Sequence, residues 1–188
     1  LLLLFSAVLE AQIVLGPKAE ISLITCGPSQ QELYSAFGHT AVRVKDPSKG
    51  IDWVYNYGIF DFDQPNFYLN FAKGNLLYML AVIEWPRFEN QYVRDGRFIH
   101  QQVLNLDSSQ SQAYFDFLIW NAKPENRDYY YDYFYDNCAT RVRMGLEEVL
   151  GVEKVIFSEE TYFKPPLSIR DLTDEYLAEQ PWGDFGID

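Results

Sequence analysis

Residues 39–57 read HTAVRVKDPSKGIDWVYNY, and this stretch decides the fold. From His39 to Lys45 the pattern is that of a strand, with Thr40, Val42 and Val44 on one face and His39, Ala41 and Arg43 on the other. Asp46-Pro47-Ser48-Lys49-Gly50 is a turn, and Ile51 to Tyr57 is a second β-rich run, so the two runs form an antiparallel hairpin with a short loop. Folding it about the turn centre sets His39 across from Asn56 or Tyr57. Cross-strand neighbours share a face at about 5 Å, so one of those two side chains reaches the imidazole. A shift of one residue turns every side chain to the other face, which leaves both residues open as partners.

Outward from the hairpin, Ala19 to Thr25 reads as a strand. Ser29-Gln30-Gln31-Glu32 is a capping-box pattern opening a short helix that ends at Gly38. Asp63 and Pro65 begin another helix, closed by Gly74. Leu76 to Trp85 is a strand, Pro86 to Asp95 a short helix, and Phe98 to Leu106 a further strand. Asp107 and Ser108 cap a helix running to Ala122, and the aromatic run Tyr129 to Tyr135 is expected to be extended and largely buried. A helix from Cys138 to Leu150 stops at Gly151, and a last one begins at Ser168. Hairpin-linked strands interspersed with helices give an α+β class, an antiparallel sheet with packed helices. No repeat, low-complexity run or linker divides the chain, so residues 12–188 read as one domain.

The first residues, LLLLFSAVLEAQIVL, are set apart by their apolarity. Leu1 to Val8 is too short to span a bilayer and suits the apolar core of a secretory signal, with Ala11–Gln12 as a cleavage point. Residues 1–11 are therefore read as a truncated signal-peptide remnant, which places the domain in the periplasm or cell envelope. No other stretch reaches the ~18 apolar residues that a membrane span needs. A net charge of −12 repels phosphate backbones and argues against nucleic acid as a partner. Any membrane contact must then be apolar or locally basic.

Chemistry points to Asp136-Asn137-Cys138-Ala139-Thr140-Arg141. Asp136 or Asn137 acts as N-cap and puts Cys138 in the first helical turn. There the free N–H groups and the positive end of the helix dipole stabilise a thiolate, and Arg141, on the same face, adds positive charge. Such a thiol falls below its free pKa of about 8.5. The rival reading is a buried small hydrophobe, as most free cysteines are. His39 supplies a base, and its hairpin supplies a polar orienter; His100, on a strand with Gln102, is the competing base. Cysteine, histidine and an amide side chain together form a constellation for nucleophilic acyl transfer. Cys26, at a strand end before Gly27-Pro28, has no helix dipole to ionise it, although a Cys26–Cys138 disulfide stays open as an alternative. Two cysteines and two histidines, without CxxC spacing, leave a metal site short of ligands, and no cofactor is expected.

The segments TCGPSQQELYSAFGHTAVRV, VYNYGIFDFD and YDYFYDNCATRVR resemble a bacterial family once catalogued only as a domain of unknown function. That family is the N-terminal periplasmic domain of bacterial lipoprotein N-acyltransferase. The resemblance covers Ala19 to Asp188, and the FGHT and DNCAT motifs carry it together. The order histidine, polar residue, then cysteine at a helix start is also similar to the circularly permuted NlpC/P60 papain-like group, which includes lecithin retinol acyltransferase. The resemblance implies Cys138 as nucleophile and His39 as base; Asn56 is inferred as the third member from its place on the following strand, with Tyr57 as the alternative one residue on. It implies a papain-like catalytic domain continued beyond Asp188 by a membrane portion.

The expected activity is transfer of an acyl chain from phospholipid, through a Cys138 thioester, to the N-terminal amine of a lipoprotein at a membrane surface. Tyr57, Arg141 and Tyr135 are assigned to substrate binding. Aromatic residues around Trp53, Phe60, Phe62, Phe67 and Trp85 are candidates for resting on acyl chains, against an ordinary core role. One rival is a cell-wall cysteine peptidase or amidase of NlpC/P60 type, which would need an open polar groove. The other is a non-catalytic periplasmic binding domain, favoured if His39 lies far from the sulfur. Nothing in the sequence assigns an oligomeric state.

Overall fold

The computed structural model describes residues 12–61, 63–66, 70, 77–156 and 167–180. The signal remnant read at residues 1–11 lies outside them, as does most of the helix expected between Asp63 and Gly74. Six strands form one antiparallel sheet: β1 (Glu20–Cys26), β2 (His39–Asp46), β3 (Ile51–Phe60), β4 (Leu77–Glu84), β5 (Ile99–Val103) and β6 (Asp128–Tyr130). Their order is β5-β1-β2-β3-β4-β6, an open sheet centred on the β2–β3 hairpin. Among the described residues four helices accompany it: α1 (Trp85–Arg94), α2 (Ser108–Asn121), α3 (Cys138–Leu150) and α4 (Ile169–Leu177). The architecture is α+β, as expected.

The middle of each central strand is buried on both faces, over residues 41–44 of β2 and 54–57 of β3. Val42, Val44, Tyr55 and Tyr57 pack with Tyr114, Phe115 and Leu118 of α2 and Val142 of α3. Ala41, Val54, Ile24 and Cys26 pack on the opposite side against Phe88 and Tyr92 of α1. Arg43 shares this second face and is buried. Its guanidinium is bidentate to Asp52 at 2.7 and 2.8 Å, donates to Gln101 at 2.9 Å and lies 3.7 Å over the Trp85 ring. A buried arginine is tolerable only with this degree of pairing.

Helix starts follow the caps read from sequence. Asp107 with Gln110, Asn137 with Thr140, and Ser168 with Asp171 each form reciprocal capping boxes. The Ser29–Gly38 segment differs from expectation: it holds only a 3₁₀ turn at Leu33–Ser35. Side-chain hydroxyls compete with the helix here. Ser29 Oγ accepts from Gln31 N, while Ser35 Oγ donates to the Ser29 and Glu32 carbonyls. The aromatic run also departs in part. Only Asp128–Tyr130 is strand; it is an edge strand, so Tyr130 faces solvent, and Tyr135 is 74% exposed on the following loop.

Phe115 fixes α2 to the sheet, fully buried and edge-on to Tyr55 with ring centroids 6.5 Å apart. Phe115→Ala should cost about 3–5 kcal/mol, read from the urea midpoint at unchanged m-value. A loss below about 1 kcal/mol would mean that this contact does not hold the helix.

Candidate functional site

At one end of the sheet the strand β2 begins, β3 bends and the N-terminus of α3 arrives. Pairing of β2 with β3 runs from Asp46–Ile51 to Val42–Tyr55. Carried one step on, Asn56 faces Ala41, so it is diagonal to His39 and not directly opposite. Because Asp46 pairs with Ile51, the turn holds four residues, 47–50, one fewer than the five read from sequence, and the position across from His39 falls to Gly58. That glycine, at φ +87°, lies where β3 changes register against β4. A Cβ there would come 3.8 to 4.0 Å from Tyr131, His39 and Cys138. Those are ordinary van der Waals distances, so glycine is required here by the backbone bend and its positive φ. Gly38, at φ +76°, turns the chain into β2; a Cβ on it would meet the Cys26 carbonyl oxygen at 2.7 Å.

His39 Nε2 donates to Asn56 Oδ1 at 2.5 Å. The ring also hydrogen-bonds the Cys138 sulfur, and with Nε2 committed to Asn56 this bond falls to Nδ1. The amide oxygen therefore sets the tautomer and aims the other nitrogen at the sulfur. Cys138 is the first residue of α3, with Asn137 as N-cap: Asn137 Oδ1 accepts from Ala139 N at 3.0 Å and Thr140 N at 3.1 Å. The Asn137 N–H donates in turn to Thr140 Oγ1 at 2.7 Å.

The two titrating groups shift each other. Burial pushes the Cys138 thiol up, but the facing His39 ring and the N–H groups of Thr40 and Ala139 outweigh it and hold the thiol below its ordinary value. Burial likewise pushes His39 down, and its bonds to the sulfur and to Asn56 more than reverse this, so the imidazole is held above its ordinary value. These directions favour a thiolate–imidazolium pair. Cys26, facing His39 across β1–β2, is a free buried thiol that burial pushes up to about 11. Cys138 is also free, so the disulfide alternative is not realised.

The pair opens onto a cavity of about 440 Å³ whose walls include Tyr34, Phe37, Phe60, Tyr92, Tyr131 and Tyr133. The structure thus brings Cys138, His39 and Asn56 together. It does not bring in the other named residues. Tyr57 is buried beneath α2, its hydroxyl donating to Asn121 Oδ1 at 2.6 Å. Arg141 is bidentate to Asp136 and lies 4.2 Å over the Tyr129 ring. Its charge is thus neutralised locally and is not offered to the thiol. Tyr135 points into solvent just before α3. His100 is exposed and stacked on Phe98, away from the sulfur. Among the proposed acyl-chain aromatics, Phe60 lines the cavity, Trp53 and Trp85 pack on the two cores, and Phe62 and Phe67 lie outside the described residues. Sequence reasoning missed Gly58, Tyr92 and Arg97, which no local pattern links to Cys138. Among the described residues no cluster of His, Cys, Asp and Glu can hold a metal ion.

Residues 13–175 match the family model of the Lnb N-terminal periplasmic domain, and the chain belongs to that family. No curated protein and no solved structure matches it. No helix among the described residues is long and apolar enough to cross a membrane.

The shifted thiol pKa is directly measurable. Near neutral pH, iodoacetamide should label Cys138 ahead of Cys26, as read by peptide mass mapping. A thiol whose pKa is lowered keeps its anion to lower pH, so the Cys138 rate should persist below the pH at which an ordinary thiol loses its reactivity. His39→Ala should move that midpoint upward, because burial then acts with less opposition. Cys26→Ser should leave the profile unchanged; a profile that tracks Cys26 instead would reassign the reactive thiol.

Proposed function

We propose that this member of the Lnb N-terminal periplasmic domain family is a cysteine-dependent acyltransferase of the cell envelope. The observation that carries the reading is the hydrogen bond between Cys138 and His39, with Asn56 on the far ring nitrogen, at an aromatic-walled cavity. The chain order supports a circularly permuted papain-like arrangement: histidine at a strand start, amide on the next strand, cysteine at a later helix N-terminus. Rigid placement of nucleophile, base and orienter is the geometry that thiol acyl transfer requires.

In the first step the Cys138 thiolate attacks the ester carbonyl of a phospholipid. The carbon–oxygen ester bond breaks, the imidazolium of His39 protonates the departing lysophospholipid oxygen, and a thioester remains. The Cys138 N–H has no acceptor among the described residues and faces the developing oxyanion, a contribution of about 3 kcal/mol. In the second step the free α-amine of a diacylglyceryl-cysteine lipoprotein attacks the thioester. His39 takes the proton from the amine, the carbon–sulfur bond breaks and the thiolate returns. An α-amine with pKa near 8 is a competent nucleophile for this step.

The cavity volume falls in the range that encloses a small ligand. Its outer aromatics, Tyr34 at 57% and Phe37 at 38% exposure, can meet acyl chains, and the exposed Phe134 and Tyr135 extend the apolar surface on the loop before Cys138. In a chain of net charge −12, apolar contact is the available route to an anionic bilayer.

The test is incubation with phospholipid and a diacylated lipopeptide, followed by intact and peptide mass spectrometry. A thioester should appear on Cys138 and discharge when lipopeptide is added. Cys138→Ala should abolish it, and His39→Ala should slow its formation by roughly 10²- to 10⁴-fold. Cleavage of muropeptides with phospholipid ignored would replace the reading with a cell-wall amidase.

A further inference from the structure

The cavity carries one feature that thiol chemistry does not use. Among the described residues that line it there is no Asp or Glu, although the chain has 27 acids, and Arg97 is the one side chain with a permanent positive charge. Among the described lining residues the one permanent charge is thus positive, beside a pair whose own charges cancel.

Arg97 is held as a fixed anchor. Gly96, at φ +64°, ends α1, and the Arg97 N–H returns to the Tyr92 carbonyl at 2.9 Å. Its Nε donates to the Gly27 carbonyl at 2.7 Å, and its guanidinium lies 4.6 Å over the Tyr92 ring. Backbone, Nε and one face are thus accounted for. Its Nη2 is buried without a hydrogen-bond partner, and no carboxylate pairs with the guanidinium among the described residues. Arg43 and Arg141, by contrast, are each bidentate to an aspartate. A desolvated guanidinium edge left unpaired is costly, so its partner is expected to arrive with the substrate.

We propose that Arg97 is a specificity-determining residue that binds the phosphate of a glycerophospholipid acyl donor and so presents its ester to Cys138. This rests on the acyltransferase reading with its phospholipid donor and adds to it the residue that recognises the donor's phosphate. A planar guanidinium fork matches phosphate oxygens, and the glycerol backbone sets the phosphate only a few bonds from the ester carbonyl. Holding the headgroup there fixes the carbonyl against the sulfur, which turns a floppy encounter into a positioned one.

The experiment compares acyl donors of identical chains in detergent micelles: dioleoylphosphatidylglycerol, dioleoylphosphatidylcholine, and dioleoylglycerol, which lacks the phosphate. The rate of thioester formation on Cys138 is read by mass spectrometry. Both phospholipids should outpace dioleoylglycerol by roughly ten- to a hundredfold. Arg97→Gln should erase that advantage by slowing the phospholipids alone, and Arg97→Lys should keep part of it. An unchanged far-ultraviolet circular dichroism spectrum and urea midpoint certify that a variant is folded, and the wild-type donor comparison needs no variant. Equal wild-type rates from all three donors, or a folded Arg97→Gln that slows all alike, would overturn the role of Arg97 and leave the acyltransferase reading standing. No thioester from any donor would sink that reading, and this inference with it.

Discussion

The contact between the Cys138 sulfur and the His39 ring is the constraint to which the surrounding architecture answers. Burial disfavours each partner as an ion, and the other partner is the largest of the influences that oppose it. Such a pair is stable only if geometry is enforced from outside it. The enforcement comes from two directions: the sheet fixes the histidine, and a capped helix start fixes the cysteine. Asn56 closes the arrangement by holding the imidazole on its far side.

The same constraint accounts for the local irregularities. A regular hairpin would place a side chain across from His39, in the space where Cys138 and Tyr131 converge. At that position stands Gly58, whose positive φ bends β3 where its register changes. Capping of α3 by Asn137 takes up the N–H groups of Ala139 and Thr140 and fixes the turn that carries Cys138. On the far side of the sheet, α1 contributes Tyr92 and leads into Arg97, so both layers of the fold meet at one cavity. Stability and function draw on the same elements: helices that bury the two cores also carry the thiol and the guanidinium to the sheet end.

Much of this was legible in the sequence because it is local. Strand alternation, the Asp46–Gly50 turn, the caps at Asp107, Asn137 and Ser168, and the stop at Gly151 each depend on neighbours in the chain, and each lies within a residue or two of its expected place. The segment from Ser29 failed because hydroxyl-to-carbonyl bonds competed with the helix that its first four residues advertise. The choice between Asn56 and Tyr57 depended on hairpin register, and the two residues point to opposite faces: Asn56 meets the imidazole, whereas Tyr57 is sealed under α2. Arg141 was read as an electrostatic aid on helical spacing alone, without the Asp136 side chain that captures it. Arg97 was invisible because its role rests on what surrounds it: a carbonyl from residue 27, a ring from residue 92 and an absence of acids.

The central claim is that Cys138 and His39 share a charge-separated state. Its most direct measurement is the pH titration of the His39 ring by ¹⁵N NMR, in the wild type and in Cys138→Ala. In the wild type the imidazolium should persist above the ordinary histidine pKa of 6.5, because the sulfur opposite stabilises it. Without the sulfur, burial becomes the dominant influence, and the pKa should fall. A His39 titration that is the same in both proteins would contradict the account.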